Sequence, residues 1–380
     1  MIRKEIALLV SYLKNEPTFD ADGIDLSYLL KLGVDHSLIP IVYEAILFYN
    51  VKIDEKLKEK LEKKYRKCVY KEAIQELEKK QILDSFSLAQ IKCMPLKGSI
   101  LKYFYKSPVL RTMNDLDILI DYKQKKKAYK ILKDLGYSGP DKTDHHDSFQ
   151  KLPIMDVELH KRLVPERDKI IYQYYNKIWN KLIETSDKYI YKMSDEDFYI
   201  YFIVHLSKHY KEGGCGLRYL FDCYIYLSNF TNLNFDYINQ EMEKLNLSTF
   251  EKNFTNLSFD LFDGQNLSTL ENDMLSYIID SKTHGTIDHA QAVLVETENG
   301  KKTHKVKYLM KRVFPSTEFM KNKYDILNHL PFLLPFMYIH RFNMALFRHK
   351  GLIKDEFNNL NNFDVKKAEK IKELHKKSGL

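Results

Sequence analysis

Three short segments hold residues whose types and spacing could do chemistry. Leu96-Lys97-Gly98-Ser99 places a Gly-Ser pair where a mostly apolar run, Ile91 to Leu96, gives way to a helix-like run, Ile100 to Tyr105. Asn114-Asp115-Leu116-Asp117-Ile118 sets two acids at alternate positions inside a second apolar run. Met155-Asp156-Val157-Glu158-Leu159-His160 alternates in the same way. A small turn that cradles phosphates, together with three carboxylates on adjacent strands, is what metal-assisted nucleotidyl transfer requires.

Side chains alternate between the two faces of a strand, so Asp115 and Asp117 project from one face and Leu116 and Ile118 are buried on the other. Two carboxylates this close repel each other unless a cation sits between them. Mg²⁺ suits such a pair, with Mn²⁺ as the alternative ion, because it prefers oxygen ligands and leaves positions for water and substrate phosphates. Glu158 is the choice for the third carboxylate. Asp156 and His160 share its face, and Asp156 stands in reserve. At the turn, Gly98 tolerates unusual backbone angles and lets a phosphate come close to the main chain. The helix that follows presents N–H groups, and Ser99 adds a hydroxyl. Lys97 and Arg111 supply positive charge for a triphosphate, or are simply charge partners of the acids.

Other polar residues carry open readings. His145 and His146 either face the site, as acceptor-binding or proton-transfer groups, or are exposed loop residues. Phe198, Phe202, His205 and His209 fall near one stripe of a helix, which fits either core packing or a phosphate site. Arg218 and Asp222 lie one turn apart and read as an ion pair, with Arg218 reaching the nucleotide as the rival reading.

With these motifs in order, the chain resembles a nucleotidyltransferase of the polymerase-beta-like superfamily, and most of all a bacterial group known as uncharacterised nucleotidyltransferases. The resemblance rests on Leu96/Gly98/Ser99, Asp115/Asp117 and Glu158, with Leu96-Lys97-Gly98, Arg111 and Glu158-Leu159-His160 as marks of the subgroup. His205, His209, Leu217-Arg218, Asp222 and Phe314-Pro315 match it more loosely. It implies an α+β fold: a small mixed sheet flanked by helices, with N-terminal helices and a helical C-terminal region. It also implies transfer of a nucleoside monophosphate from an NTP to an acceptor, with release of pyrophosphate. The acceptor, be it a small molecule, glycan or protein, is not named by it. Two rivals stand beside this reading. One is a glycosyltransferase whose Asp-x-Asp pair holds Mn²⁺ and a sugar nucleotide. The other is a non-catalytic protein that keeps the nucleotide-binding scaffold.

Composition sets bounds. The 380 residues are 44% hydrophobic and 13% aromatic, with 13 glycines and 10 prolines, which indicates a folded chain with a sizeable core rather than a disordered one. The net charge of +8 fits a triphosphate substrate, but its lysine runs read as solvated helix faces, and no aromatic and arginine interleaving marks a nucleic-acid platform. Four cysteines without a Cys-x-x-Cys pair argue against structural zinc, and the absence of a signal-like N-terminus points to the cytoplasm. No segment is long and apolar enough for a transmembrane helix.

The elements that must hold the motifs follow from periodicity. Three units are expected: 1–90, N-terminal helices packing on the core; 91–190, the catalytic core; 191–380, helical. Lys56 to Ser85 lacks glycine and proline and predicts one long helix. Strands are expected at Ile91–Leu96, Asp115–Ile120 and Ile154–His160, a helix at Lys123–Leu135 closed by Gly136, and a loop from Gly139-Pro140 to Asp147. Pro331–Ile339 reads as a core segment, and Asn358–Leu380, polar and lysine-rich, as a fraying tail.

Overall fold

The computed structural model describes residues 2–153, 155–283, 313–324, 326–348 and 365–380. The sequence also suggests a loop at Thr283-His284-Gly285-Thr286 and a basic helix at Lys305–Val313, and most of both lies outside the described residues.

The apolar spacing of the first fifty residues produces α1 (Lys4–Leu13), α2 (Leu26–Asp35) and α3 (Ile39–Phe48). Next comes α4 (Glu55–Leu88), 34 residues whose start is capped by Asp54, which accepts from the Leu57 N–H at 3.0 Å. Its second half lays Ile82 and Phe86 on the sheet, while most of its charged surface faces water.

The sheet is built from β1 (Cys93–Pro95), β2 (Asp115–Ile120), β3 (Ser138–Lys142), β4 (His146–Lys151) and β5 (Met155–His160), in the order β1-β2-β5-β4-β3. A short helix, α5 (Gly98–Leu101), follows β1, and α6 (Lys125–Asp134) joins β2 to β3. Only β2 and β5 run parallel among these neighbours, and they are adjacent at the sheet's centre. Their register sets Asp115 opposite Asp156 and Asp117 opposite Glu158. The alternation sorts the faces as expected. Leu116, Ile118, Val157 and Leu159 pack beneath α4 and α6 in one core, with Ala128 and Leu132. The acids project from the other face.

Over that acidic face lies a helical layer. It comprises α7 (Lys169–Tyr175), a two-stranded ribbon of β6 (Ile183–Glu184) and β7 (Tyr191–Lys192), then α8 (Asp195–Glu212), α9 (Arg218–Asn229), α10 (Phe235–Lys244), α11 (Ser248–Phe262) and α12 (Thr269–Ser281). Further on are α13 (Thr317–Lys323), α14 (Ile326–His329), α15 (Leu334–Arg348) and α16 (Val365–Ser378). A second apolar core joins Leu9 and Val42 of the first helices to Phe221, Leu257 and Ile278. The chain is thus α+β, with a small mixed sheet flanked by helices.

Four expectations are corrected. Strand β1 is shorter than Ile91–Leu96. Gly139-Pro140 lies in β3 rather than a loop, because β3 is the sheet's edge and carries a bulge between Ser138 and Asp141, a place where a missing N–H costs no ladder bond. Pro331–Ile339 is not core: Phe332 is 70% and Phe336 65% exposed. The end of the chain does not fray. Helix α16 docks through Ala368, Ile371 and His375, and lysines occupy its outer face.

Candidate active site

The turn between β1 and α5 departs from ordinary backbone geometry. Lys97, not Gly98, adopts the positive φ, at 52° with ψ of −120°. That region favours glycine, and a lysine held there marks a position the surroundings enforce. The enforced direction carries the Lys97 ammonium to Asp117, with Nζ 2.7 Å from Oδ1. Gly98 is needed for a different reason: a Cβ there would sit 2.3 Å from Nη1 of Arg111. Ser99 is buried, and its hydroxyl donates to the Leu96 carbonyl at 2.8 Å. The N–H groups of Ser99, Ile100 and Leu101 bond back to the carbonyls of Leu96 and Lys97, at 3.3, 3.1 and 3.0 Å.

Asp117 and Glu158 meet as the register requires. Asp117 and Glu158 are cross-strand neighbours, and with His160 they place one ligand atom each within 4.8 Å of one another. Nε2 of His160 lies 2.6 Å from Oδ1 of Asp117 and 3.4 Å from Oε2 of Glu158. Asp115 points into the same cavity, whereas Asp156 is exposed beside it. Burial pushes the Asp117 carboxyl up, but Lys97 and His160 overcome it and hold the group well below the usual range. For Asp115 the charge of Lys97 acts in the same direction but is outweighed. Burial, then the charges of Asp117 and Glu158, push its carboxyl up to about 6. Burial and Lys97 act to lower the His160 imidazole, yet its bonds to the two acids leave it raised.

Opposite the sheet, α8 and α9 complete a cavity of about 290 Å³. Its walls include Phe198, Phe202, His205, His209 and Tyr219, so the expected stripe of α8 faces the acids across open space. The rings of His205 and His209 are 4.4 Å apart, and burial holds the His205 imidazole neutral, far below its usual titration range. His145 and His146 also line the cavity and are not exposed. Burial is the main cause that lowers them, to about 2 and about 4.

The expected pair of Arg218 with Asp222 is replaced by another. Asp222, fully buried, takes Arg111 in two bonds, Nη2 to Oδ2 at 2.9 Å and Nε to Oδ1 at 3.2 Å, and accepts from the Tyr105 hydroxyl at 2.7 Å. Arg218 turns instead to the Thr112 carbonyl, 3.0 Å from Nη1, and its buried Nε has no hydrogen bond. No sequence signal joins Arg111 to Asp222, which are 111 residues apart, whereas the one-turn spacing of Arg218 suggested a local partner.

The donor set fits a hard divalent cation. Three carboxylates, Asp115, Asp117 and Glu158, line one cavity, and oxygen donors of this kind suit such an ion. A family model described as "Uncharacterised nucleotidyltransferase" matches residues 22–263. The chain belongs to this family. The matched span of the nucleotidyltransferase runs from just before α2 to the end of α11, and so contains the sheet, the turn and both helices of the cavity. Searches of curated proteins and of solved structures find no match. No described helix of the nucleotidyltransferase is long and apolar enough to cross a membrane.

Proposed function

We propose that the protein transfers a nucleoside monophosphate from an NTP to a nucleophilic acceptor and releases pyrophosphate, with Mg²⁺, or Mn²⁺ in its place, held by Asp115, Asp117 and Glu158. The observation that carries this is the parallel register of β2 and β5, which sets Asp117 beside Glu158 with Asp115 on the same face of the cavity. When bound, the metal neutralises phosphate charge and orients the reacting oxygens.

The protein's own groups do the rest. Glu158 accepts the proton of the attacking acceptor as its bond to the α-phosphorus forms and the bond to pyrophosphate breaks. Lys97 supplies positive charge to the triphosphate tail from the turn. Arg218, whose Nε is buried without a hydrogen bond at the cavity wall, adds a second cation. Arg111, committed to Asp222, serves by holding α9 against the turn, and Gly98 makes room for it. Ser99 braces the turn through Leu96. The aromatic wall of Phe198, Phe202 and Tyr219 offers surface for a base.

Substituting Asp117→Asn tests the reading. Label transfer from an NTP should fall by about 100-fold or more, the loss expected when metal-assisted charge stabilisation worth several kcal/mol is removed. The circular-dichroism spectrum should be unchanged. Transfer at the parent rate by the folded variant would refute the assignment, and preference for a sugar nucleotide over NTPs would favour glycosyl transfer.

A further inference from the structure

Beside the carboxylates lies a group of imidazoles that nucleotidyl transfer does not require. His145, His146 and His160 each place one ring nitrogen within 4.8 Å of the others. The arrangement comes from strand pairing. His146 of β4 is directly opposite His160 of β5, so both side chains leave the same face, and His145 precedes His146 at the strand's start. The ring centroids of His145 and His146 are 4.6 Å apart, and those of His146 and His160 are 5.3 Å apart. Glu158 joins them, with Oε2 3.3 Å from Nδ1 of His146 and 3.4 Å from Nε2 of His160.

Two features point to a ligand rather than to a closed network. His160 is held at Nε2 by the Asp117 carboxylate, while its buried Nδ1 has no hydrogen bond. A buried polar atom left without a partner calls for an ion or water, and an imidazole oriented by a carboxylate through one nitrogen is the usual setting of a metal-binding histidine. The cluster also forms a partition. His146 lines the cavity of about 290 Å³, His160 lines a neighbouring one of about 640 Å³, and His145 lines both. An ion held there has access to ligand-sized space on either side. Lys97 and Lys208 bring positive charge to this wall, and Asp117 and Glu158 offset it.

We propose that His145, His146 and His160 form a binding site for a divalent first-row transition ion of the zinc type, adjoining the Asp115/Asp117/Glu158 site. Imidazole suits zinc, iron, cobalt and nickel, whereas Mg²⁺ avoids it in favour of oxygen. Three imidazole nitrogens leave a fourth position for water, which matches the four-coordination of zinc, whose bonds to nitrogen are about 2.0–2.1 Å. The site stands on its own geometry and does not depend on the reaction assigned to the acids.

The test uses the full-length protein, stripped with a chelator and without nucleotide. Titration with Co²⁺ should give the visible absorption of a nitrogen-ligated ion at one equivalent, and Zn²⁺ should displace it, while Mg²⁺ should not. His145→Ala and His146→Ala should each weaken Zn²⁺ binding by about tenfold or more. Asp115→Asn should bind Zn²⁺ as the parent does. X-ray absorption of the Zn²⁺-loaded parent, which needs no variant to fold, should show imidazole in the first coordination sphere. An all-oxygen sphere, absence of Co²⁺ and Zn²⁺ binding by the parent, or equal binding by both folded histidine variants would overturn the proposal. Those outcomes leave NTP transfer untouched, just as loss of the nucleotidyl reading in the Asp117→Asn assay leaves the metal titration untouched.

Discussion

A single oxygen of Asp117 receives both Lys97 and His160, and that convergence separates the behaviour of two carboxylates on the same strand. Asp117 stays ionised, while Asp115, two residues earlier, is pushed up to about 6 by burial and by Asp117 and Glu158. The sign of the linkage follows. Asp115 binds its proton more tightly in the fold than in the unfolded chain, so its contribution to stability is fully present below the unfolded carboxylate range and is lost as pH rises through about 6. In the metal-free protein, carboxyl NMR should find the Asp115 midpoint near pH 6. Mg²⁺ should move it down, and Lys97→Gln should move it up, since Lys97 is the cation that opposes the shift. A midpoint near the unperturbed value of about 3.9 would show that the acids are not crowded.

At the scale of elements, the cavity depends on where α9 begins. Its first turn carries Arg218, and the residue before it is pinned by a buried histidine: the Leu217 N–H donates to Nδ1 of His36 at 3.3 Å. Gly216 permits the approach, because a Cβ there would lie 3.1 Å from the same nitrogen and 3.0 Å from Cα of Thr283. Burial lowers the His36 imidazole to about 4, with Asp35 opposing. Protonation would remove the acceptor that α9 uses. Between the unfolded value of about 6.5 and about 4, the unfolded chain takes up a proton that the fold refuses, so stability present above pH 6.5 is lost as pH falls. The loss attributable to His36 is about 3 kcal/mol across that window. Urea unfolding at several pH values should give a steeper decline for the parent than for His36→Asn, and parallel declines would exclude the role.

At the scale of the molecule, the chain's end helps to hold its helical layer together. α16 lies on α11 and α12, with Ala368 and Ile371 buried and Nε2 of His375 3.2 Å from the Tyr277 hydroxyl. Asn253 of α11 donates to the Ser378 carbonyl at 3.3 Å. This contact lies outside the family match, yet it supports helices inside it. Removing residues 365–380 should lower the unfolding free energy by roughly 2 kcal/mol or more, the order expected from exposing Ile371 and its surroundings. A thermal unfolding midpoint unchanged by the deletion would show that α16 only rests on the surface.

What was legible in the sequence was local. Alternation at Asp115–Ile120 and Met155–His160 was enough to assign strands and to put Leu116, Ile118, Val157 and Leu159 on one face and the acids on the other, because a strand's side-chain period is fixed by its backbone. The glycine-free run of α4 was legible for the same reason, since helix propensity acts over neighbouring residues. Only the tertiary structure decided the rest. It paired Arg111 rather than Arg218 with Asp222, turned Lys97 onto Asp117, brought His145 and His146 to His160, and buried one stripe of a lysine-rich helix at the chain's end. Each of these joins residues far apart in the chain or depends on strand register, and a contact of that kind is set by how layers pack, not by the residues on either side of it.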